Sequence, residues 1–175
     1  MLKKWKKISS QLVSENPWWK YYYHTVIMPN GKEGEYHVID LQGSVVVIPL
    51  HDDKTITMVK QFRYPIFAES LEFPMGGVGG DEYDVAAHRE LIEECGLDGD
   101  LECVGSFHPA NALLTELSKV YIARNVRENT SLSADECEEF EYFRYTPEEI
   151  DALIERGEIT DAFTITAWTL ARNKV

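Results

Sequence analysis

The sequence predicts a mixed α/β (α+β) fold, a sandwich of β-sheet flanked by helices with an N-terminal β-hairpin region, on three observations. Aromatic and β-branched runs recur from residue 21 to residue 62 and again from 101 to 145. One acidic, alanine-bearing segment with helical spacing interrupts them at 81–96, and two further helical segments close the chain. Strands on both sides of a central helix exclude a regular βαβ array. A chain of 175 residues has room for one such domain with its own core.

The elements follow in order. Residues 1–10 carry Lys3, Lys4, Lys6 and Lys7 around Trp5 and are expected to be a solvated terminal segment. Residues 21–27 and 35–40 are strand-like runs joined by Pro29-Asn30-Gly31, which predicts a hairpin. Residues 44–50 hold Val45, Val46, Val47 and Ile48 in succession, the pattern of a strand covered on both faces. His51-Asp52-Asp53-Lys54 turns the chain into a returning strand at 55–62, and 72–80 is expected to be a glycine-rich loop.

The central helix comes next, with Asp81 as its expected cap, acidic residues in its first turn and Gly96 at the glycine stop. Its apolar side is expected to be Val85, Leu91, Ile92 and Cys95, with Ala86 and Ala87 permitting close packing. Strands are predicted at 101–107, 117–126 and 140–145, and helices at 147–156, with proline in the first turn, and at 161–172.

Bulk properties remove several function classes. A net charge of −13 argues against nonspecific DNA or RNA binding, which draws on a basic footprint. No apolar run is long enough to span a bilayer and none follows the basic N-terminus, so no membrane or secretory role is expected and the expected compartment is the cytoplasm. Cys95, Cys103 and Cys137 form no Cys-x-x-Cys pair and have no histidine at zinc-like spacing, so they are expected to be reduced thiols.

Helical spacing puts Glu90, Glu93 and Glu94 on one face. Like charges so placed destabilise a helix by about 0.2–0.5 kcal/mol per pair, and Arg89 offsets only part of that. A solvated acidic face is one explanation. The other is a divalent metal: carboxylates are hard oxygen donors suited to Mg²⁺ or Mn²⁺. The glycine-rich loop leading into the helix brings backbone carbonyls and amides beside them. The residues themselves thus lead to a carboxylate-bound metal acting on a phosphorylated ligand.

Arg89-Glu90-Leu91-Ile92-Glu93-Glu94-Cys95-Gly96-Leu97 resembles the second half of the Nudix box at every fixed position. Gln61-Phe62-Arg63-Tyr64-Pro65, Glu72-Phe73-Pro74-Met75-Gly76, the acidic run 135–141 and Gly157-Glu158-Ile159-Thr160-Asp161-Ala162 look like the ADP-ribose pyrophosphatase and nucleoside-diphosphate-sugar hydrolase subgroup. The first half of the box is one residue short: counting back from Arg89 reaches Asp81, counting forward from Gly76 reaches Glu82, and either could be the acidic partner of Arg89.

The resemblance implies a Nudix-type α/β/α sandwich, with 1–43 an N-terminal strand region that helps build a two-fold homodimer and 44–175 the hydrolase domain. It implies Glu90 and Glu94 as metal ligands, Glu93 as a third and the Met75 carbonyl as a further one, with Arg89 orienting the glutamates. Glu136 or Glu138 would activate water, and Arg63 and Glu72 would contact substrate, a structural salt bridge being the competing explanation for that pair. Trp18, Trp19, Tyr21, Tyr22 and Tyr23 could stack a nucleobase or form core or dimer surface. The implied reaction is cleavage of ADP-ribose to AMP and ribose 5-phosphate. GDP-mannose or another sugar nucleotide is the alternative substrate, and a non-catalytic nucleotide-sugar sensor is the alternative from another class.

Overall fold

Three antiparallel strands, β1 (Lys6–Glu15), β2 (Trp19–Ile27) and β3 (Glu33–Leu41), form a meander in that order. The structure, a computed structural model, describes residues 1–129, 131 and 139–175. This meander and His108–Leu117 make up the first of two units, Met1–Gln42 with His108–Leu117. The Asn16 side chain closes the first turn by accepting from the amides of Trp18 and Trp19 at 2.9 Å each. Gly31, at φ +84°, supplies the left-handed residue of the second turn. Residues 113–115 extend the unit, Ile39 donating to the Leu113 carbonyl (3.0 Å) and Thr115 to the Ile39 carbonyl (3.1 Å).

The expected hairpin is therefore part of a larger sheet, and the N-terminal segment is a strand from Lys6 onward, residues 1–5 remaining exposed outside it. All ten residues of β1 are exposed, but their backbones pair with β2 from Lys6 opposite Ile27 to Glu15 opposite Lys20. Solvation of the side chains and strand pairing of the backbone coexist here because the ladder needs no buried face.

The second unit, Gly43–Phe107 with Ser118–Val175, is organised around β4 (Ser44–Pro49), every residue of which is buried. β4 runs parallel to β9 (Ser118–Glu128) and antiparallel to β7 (Met75–Gly77), and β9 pairs antiparallel with β8 (Leu97–Phe107), giving a mixed sheet of order β7-β4-β9-β8. A second sheet has the order β10-β5-β6, from Glu141–Tyr145, Ile56–Arg63 and Ala68–Glu72. Part of the expected glycine-rich loop is thus strand: Glu72 ends β6, and Met75 to Gly77 form β7, because their backbones pair with β4 from Val46 to Ser44.

The alternation of β4 sorts the core onto two faces. Val45 and Val47 pack with Ala86, Ala87 and Leu91 of α1 (Tyr83–Cys95). Val46 and Ile48 pack with Ile150 and Leu153 of α2 (Pro147–Glu155) and Ala167 and Trp168 of α3 (Ala162–Ala171). Helices on both faces of a mixed sheet make the α/β/α sandwich, at about 1.5–3 kcal/mol for each fully buried valine or isoleucine. A capping box of Thr146 and Glu149 starts α2, and the Asp161 carboxylate accepting from the Thr164 amide (2.7 Å) starts α3. No helix among the described residues is long and apolar enough to cross a membrane.

Candidate active site

The buried face of α1 carries charge. Its buried residues are Ala86, Ala87, Glu90, Leu91 and Glu94, whereas Val85, expected inside, is 56% exposed. Small alanines let the helix approach β4, and the next turns along the same side bring in two carboxylates, Glu90 at 7% and Glu94 at 5% exposure. Glu82, not Asp81, occupies the N-cap position, and it makes no side-chain cap bond. Gly96 ends the helix as expected, in the left-handed region with its amide bonded to the carbonyls of Ile92 and Leu91.

β7 is the surface that receives these carboxylates. An ideal β-carbon on Gly76 would fall 2.3 Å from the Glu90 carboxyl carbon, so the glycine leaves the space that the carboxylate fills. The Met75 amide donates to Glu94 Oε2 at 3.0 Å. Arg89 ties the cluster together: Nη2 donates to the Gly77 carbonyl at 2.8 Å, while Nη1 lies 2.8 Å from Glu90 Oε1 and 3.6 Å from Glu93 Oε2. Asp81 is the nearby acid that faces Arg89, at 3.8 Å from Nε. The short box therefore sets the shorter aspartate beside the arginine and leaves Glu82 at the helix start.

A second guanidinium lies beside this cluster. Arg63, at the end of β5, donates through Nε to Glu72 Oε1 (3.0 Å) and through Nη2 to Glu72 Oε2 (2.5 Å). Gln61 reaches the same Oε2 at 3.4 Å, and Glu72 is only 2% exposed. The Glu72 hydrogen bond, outweighing burial, holds Arg63 above the ordinary guanidinium range, and the charges of Glu94 and Asp161 push it the same way. The expected substrate-contacting pair is thus a forked ion pair, which leaves further N–H groups on Arg63.

Glu136, Glu138 and Cys137 lie outside the described residues. Burial first, and the Glu94 charge second, push the Cys95 thiol far up, which keeps it protonated and unsuited to be a nucleophile. In the N-terminal unit, Tyr21 stacks on His37 and contacts its Nδ1 at 2.6 Å, Tyr22 tilts against His24, and Trp18 is largely exposed. Sequence reasoning missed the contact of Gly76 with Glu90, although the glycine pair before the helix was its visible signal.

The donor set suits a divalent cation. Glu90 and Glu94 are buried, and Arg89 holds Glu93 beside Glu90, so several carboxylates gather at one place. Glu90 and Glu94 stand against the backbone of β7, and oxygen donors of this kind match Mg²⁺ or Mn²⁺. Among the described residues no three histidine, cysteine, aspartate or glutamate side chains converge as a ready-made cage, so backbone and solvent oxygens would have to complete a shell.

Comparison with known proteins bears on both units. Residues 40–166 match the NUDIX domain, and residues 5–39 match the nucleoside diphosphate sugar hydrolase N-terminal domain. The ADP-ribose pyrophosphatase of Bacillus subtilis (strain 168) is 32% identical over 148 residues, covering 82% of this chain and 79% of the relative. A methanol dehydrogenase activator of Bacillus methanolicus is 29% identical over 145 residues, 81% of this chain and 78% of that protein. The crystal structure of an ADP compounds hydrolase shares the fold with a TM-score of 0.88 at 20% identity, over 99% of this chain and 95% of that one.

Proposed function

The chain belongs to the Nudix family and is a Nudix pyrophosphohydrolase, and from that premise we propose that it cleaves ADP-ribose to AMP and ribose 5-phosphate in the cytoplasm, with Mg²⁺ or Mn²⁺ as cofactor. The observation that carries this reading is the pair of buried carboxylates, Glu90 and Glu94, set against the backbone of Met75 and Gly76. The substrate is supported by the likeness to an ADP-ribose pyrophosphatase over most of both chains.

Glu90, Glu93 and Glu94, with the Met75 carbonyl, are the groups that would hold the cation. When bound, it would supply positive charge against the diphosphate oxygens and lower the pKa of a water. Arg89 is a positioning residue, restraining Glu90 and Glu93 against the Gly77 carbonyl. Arg63, oriented by Glu72, offers its remaining N–H groups to the diphosphate. A water oxygen bonds to one phosphorus as the bond to the bridging oxygen breaks, and that oxygen leaves with the electron pair on the second phosphate. Glu136 or Glu138 takes the water's proton.

The deciding experiment is product analysis with Mg²⁺ and Mn²⁺ across ADP-ribose, GDP-mannose, other sugar nucleotides, diadenosine polyphosphates and NADH. Metal-dependent AMP from ADP-ribose, abolished in Glu94→Gln, is the expected result. Preferred cleavage of GDP-mannose would replace the substrate, and tight binding without turnover of any member would replace the enzyme by a sensor.

The proposal includes a homodimer formed through residues 1–43, with 44–175 as the hydrolase domain. Its support is β1, an edge strand that exposes Ile8, Leu12 and Val13, since a long edge with apolar side chains attracts a second chain. Light scattering after size exclusion should give twice the mass of one chain, and a monomer would remove this part of the reading.

A further inference from the structure

A cavity of about 340 Å³ opens beside Arg63, and its lining differs from that of the carboxylate cluster. Its polar wall comprises Arg63, Ser70 and Glu72 from β5 and β6, and Thr160 and Asp161 from the turn that starts α3. Pro65, Ile66 and Ala162 supply an apolar side.

The chemistry of this lining selects among ligands. A phosphate within the cavity would meet the carboxylates of Glu72 and Asp161. Among the described residues of the lining a nucleobase would find no aromatic ring on which to stack. A hydroxylated ring fits better, because each hydroxyl both donates and accepts. The carboxylate of Asp161 and the hydroxyls of Ser70 and Thr160 can accept, Arg63 and the hydroxyls can donate, and the C–H edge of the ring can lie on Pro65 and Ile66. The volume is at the small end for ligand pockets, which run to roughly 300–1,000 Å³, and suits one ring rather than a whole nucleotide.

We propose that this cavity receives a sugar ring of the substrate, and that Ser70, Thr160 and Asp161 read its hydroxyls. The inference rests on the nucleotide-sugar hydrolase reading. Two rings share this chemistry: the sugar beyond the diphosphate and the ribose of the nucleoside.

The test is kcat/KM of wild type, Ser70→Ala, Thr160→Val and Asp161→Asn on three compounds. These are ADP-ribose, its analogue with a 2′-deoxyadenosine half, and the β-methyl ester of ADP, which has no distal sugar. Asparagine still caps a helix, so Asp161→Asn keeps the start of α3. Loss of one hydrogen bond to a ring should shrink the preference for ADP-ribose by roughly two- to tenfold. Shrinkage measured against the methyl ester identifies the distal sugar, and shrinkage measured against the deoxy analogue identifies the nucleoside ribose. Equal loss on all three compounds, or no change, overturns the proposal. If wild type hydrolyses none of them, the ADP-ribose reading has failed, and calorimetric Kd values for the same compounds decide the cavity: shrinking ratios support it and constant ratios overturn it.

Discussion

The Glu90 carboxylate fills the volume into which a side chain on Gly76 would project, its two oxygens lying 2.3 and 2.4 Å from an ideal β-carbon there. The pair joins β7 to the buried face of α1, so the position of Glu90 depends on a backbone atom rather than on a side-chain partner alone. Gly76 is not in the left-handed region; the requirement for glycine is one of space.

Gly76→Ala should therefore displace Glu90 while leaving the sheets intact. Loss of support for a ligand typically costs about 10–100-fold in metal affinity or activity. Turnover of the preferred substrate should fall by that order with an unchanged circular dichroism spectrum. Wild-type turnover in the alanine variant would mean that catalysis does not need Glu90 where it stands.

Arg89 and Asp81 make separable predictions. Arg89→Lys keeps the charge but loses the fork that reaches Gly77, Glu90 and Glu93, and kcat should drop roughly 10–100-fold. Asp81→Asn removes only a half-exposed partner at 3.8 Å. Exposed pairs are worth about 0–1 kcal/mol, so activity should change by about fivefold at most. Equal losses in the two variants would promote Asp81 to an essential support.

The central helix was legible because its limits are chemical: helical spacing within it and a glycine at its end, where Gly96 closes it. Its inward face was not. Hydrophobicity places Val85 inside and Glu90 and Glu94 outside, and the structure does the reverse, because the site draws the carboxylates in. β1 was hidden by a sequence polar enough to be solvated, Lys6, Lys7, Ser9, Ser10 and Gln11, whose order comes from backbone pairing with β2. β7 was hidden by its glycines, which carry no strand propensity. The Arg63–Glu72 pair was legible as two candidates, but their mutual fork depends on β5 and β6 being neighbours.

Tyr121 should be a stability determinant of the site's scaffold. Its buried ring lies on β9 beneath α1, and its hydroxyl donates to Asp84 Oδ1 in the first turn of that helix at 2.5 Å. Burial, then the Asp84 hydrogen bond, push the phenol far up, so it remains a donor at all working pH values. Tyr121→Phe removes a bond to a charged acceptor, worth about 1.5–3 kcal/mol. The melting temperature should fall by several degrees, at roughly 2–4 °C per kcal/mol for a chain of this size. An unchanged melting temperature would show that Asp84 finds an equivalent partner.

His51 should give stability a dependence on pH. Its ring is buried, with Arg144 at 2.9 Å from Nδ1 and Thr57 Oγ1 at 2.7 Å from Nε2. A guanidinium only donates, so Nδ1 is the acceptor and Nε2 carries the proton toward Thr57. Protonating Nδ1 would break the Arg144 bond and set two cations together. Burial first, then Arg144, lower the pKa below 6.5, and the nearby Asp53 and Asp52 offset this only in part. The unfolded chain therefore takes up this proton at a higher pH than the folded one. The contribution of neutral His51 is complete above pH 6.5 and declines as pH falls from there through the lower folded value. Urea unfolding of wild type and His51→Gln at pH 7.5, 6.5 and 5.5 measures it. The wild-type curve should lose more stability over that range than the variant, and parallel curves would assign the acid sensitivity to other groups.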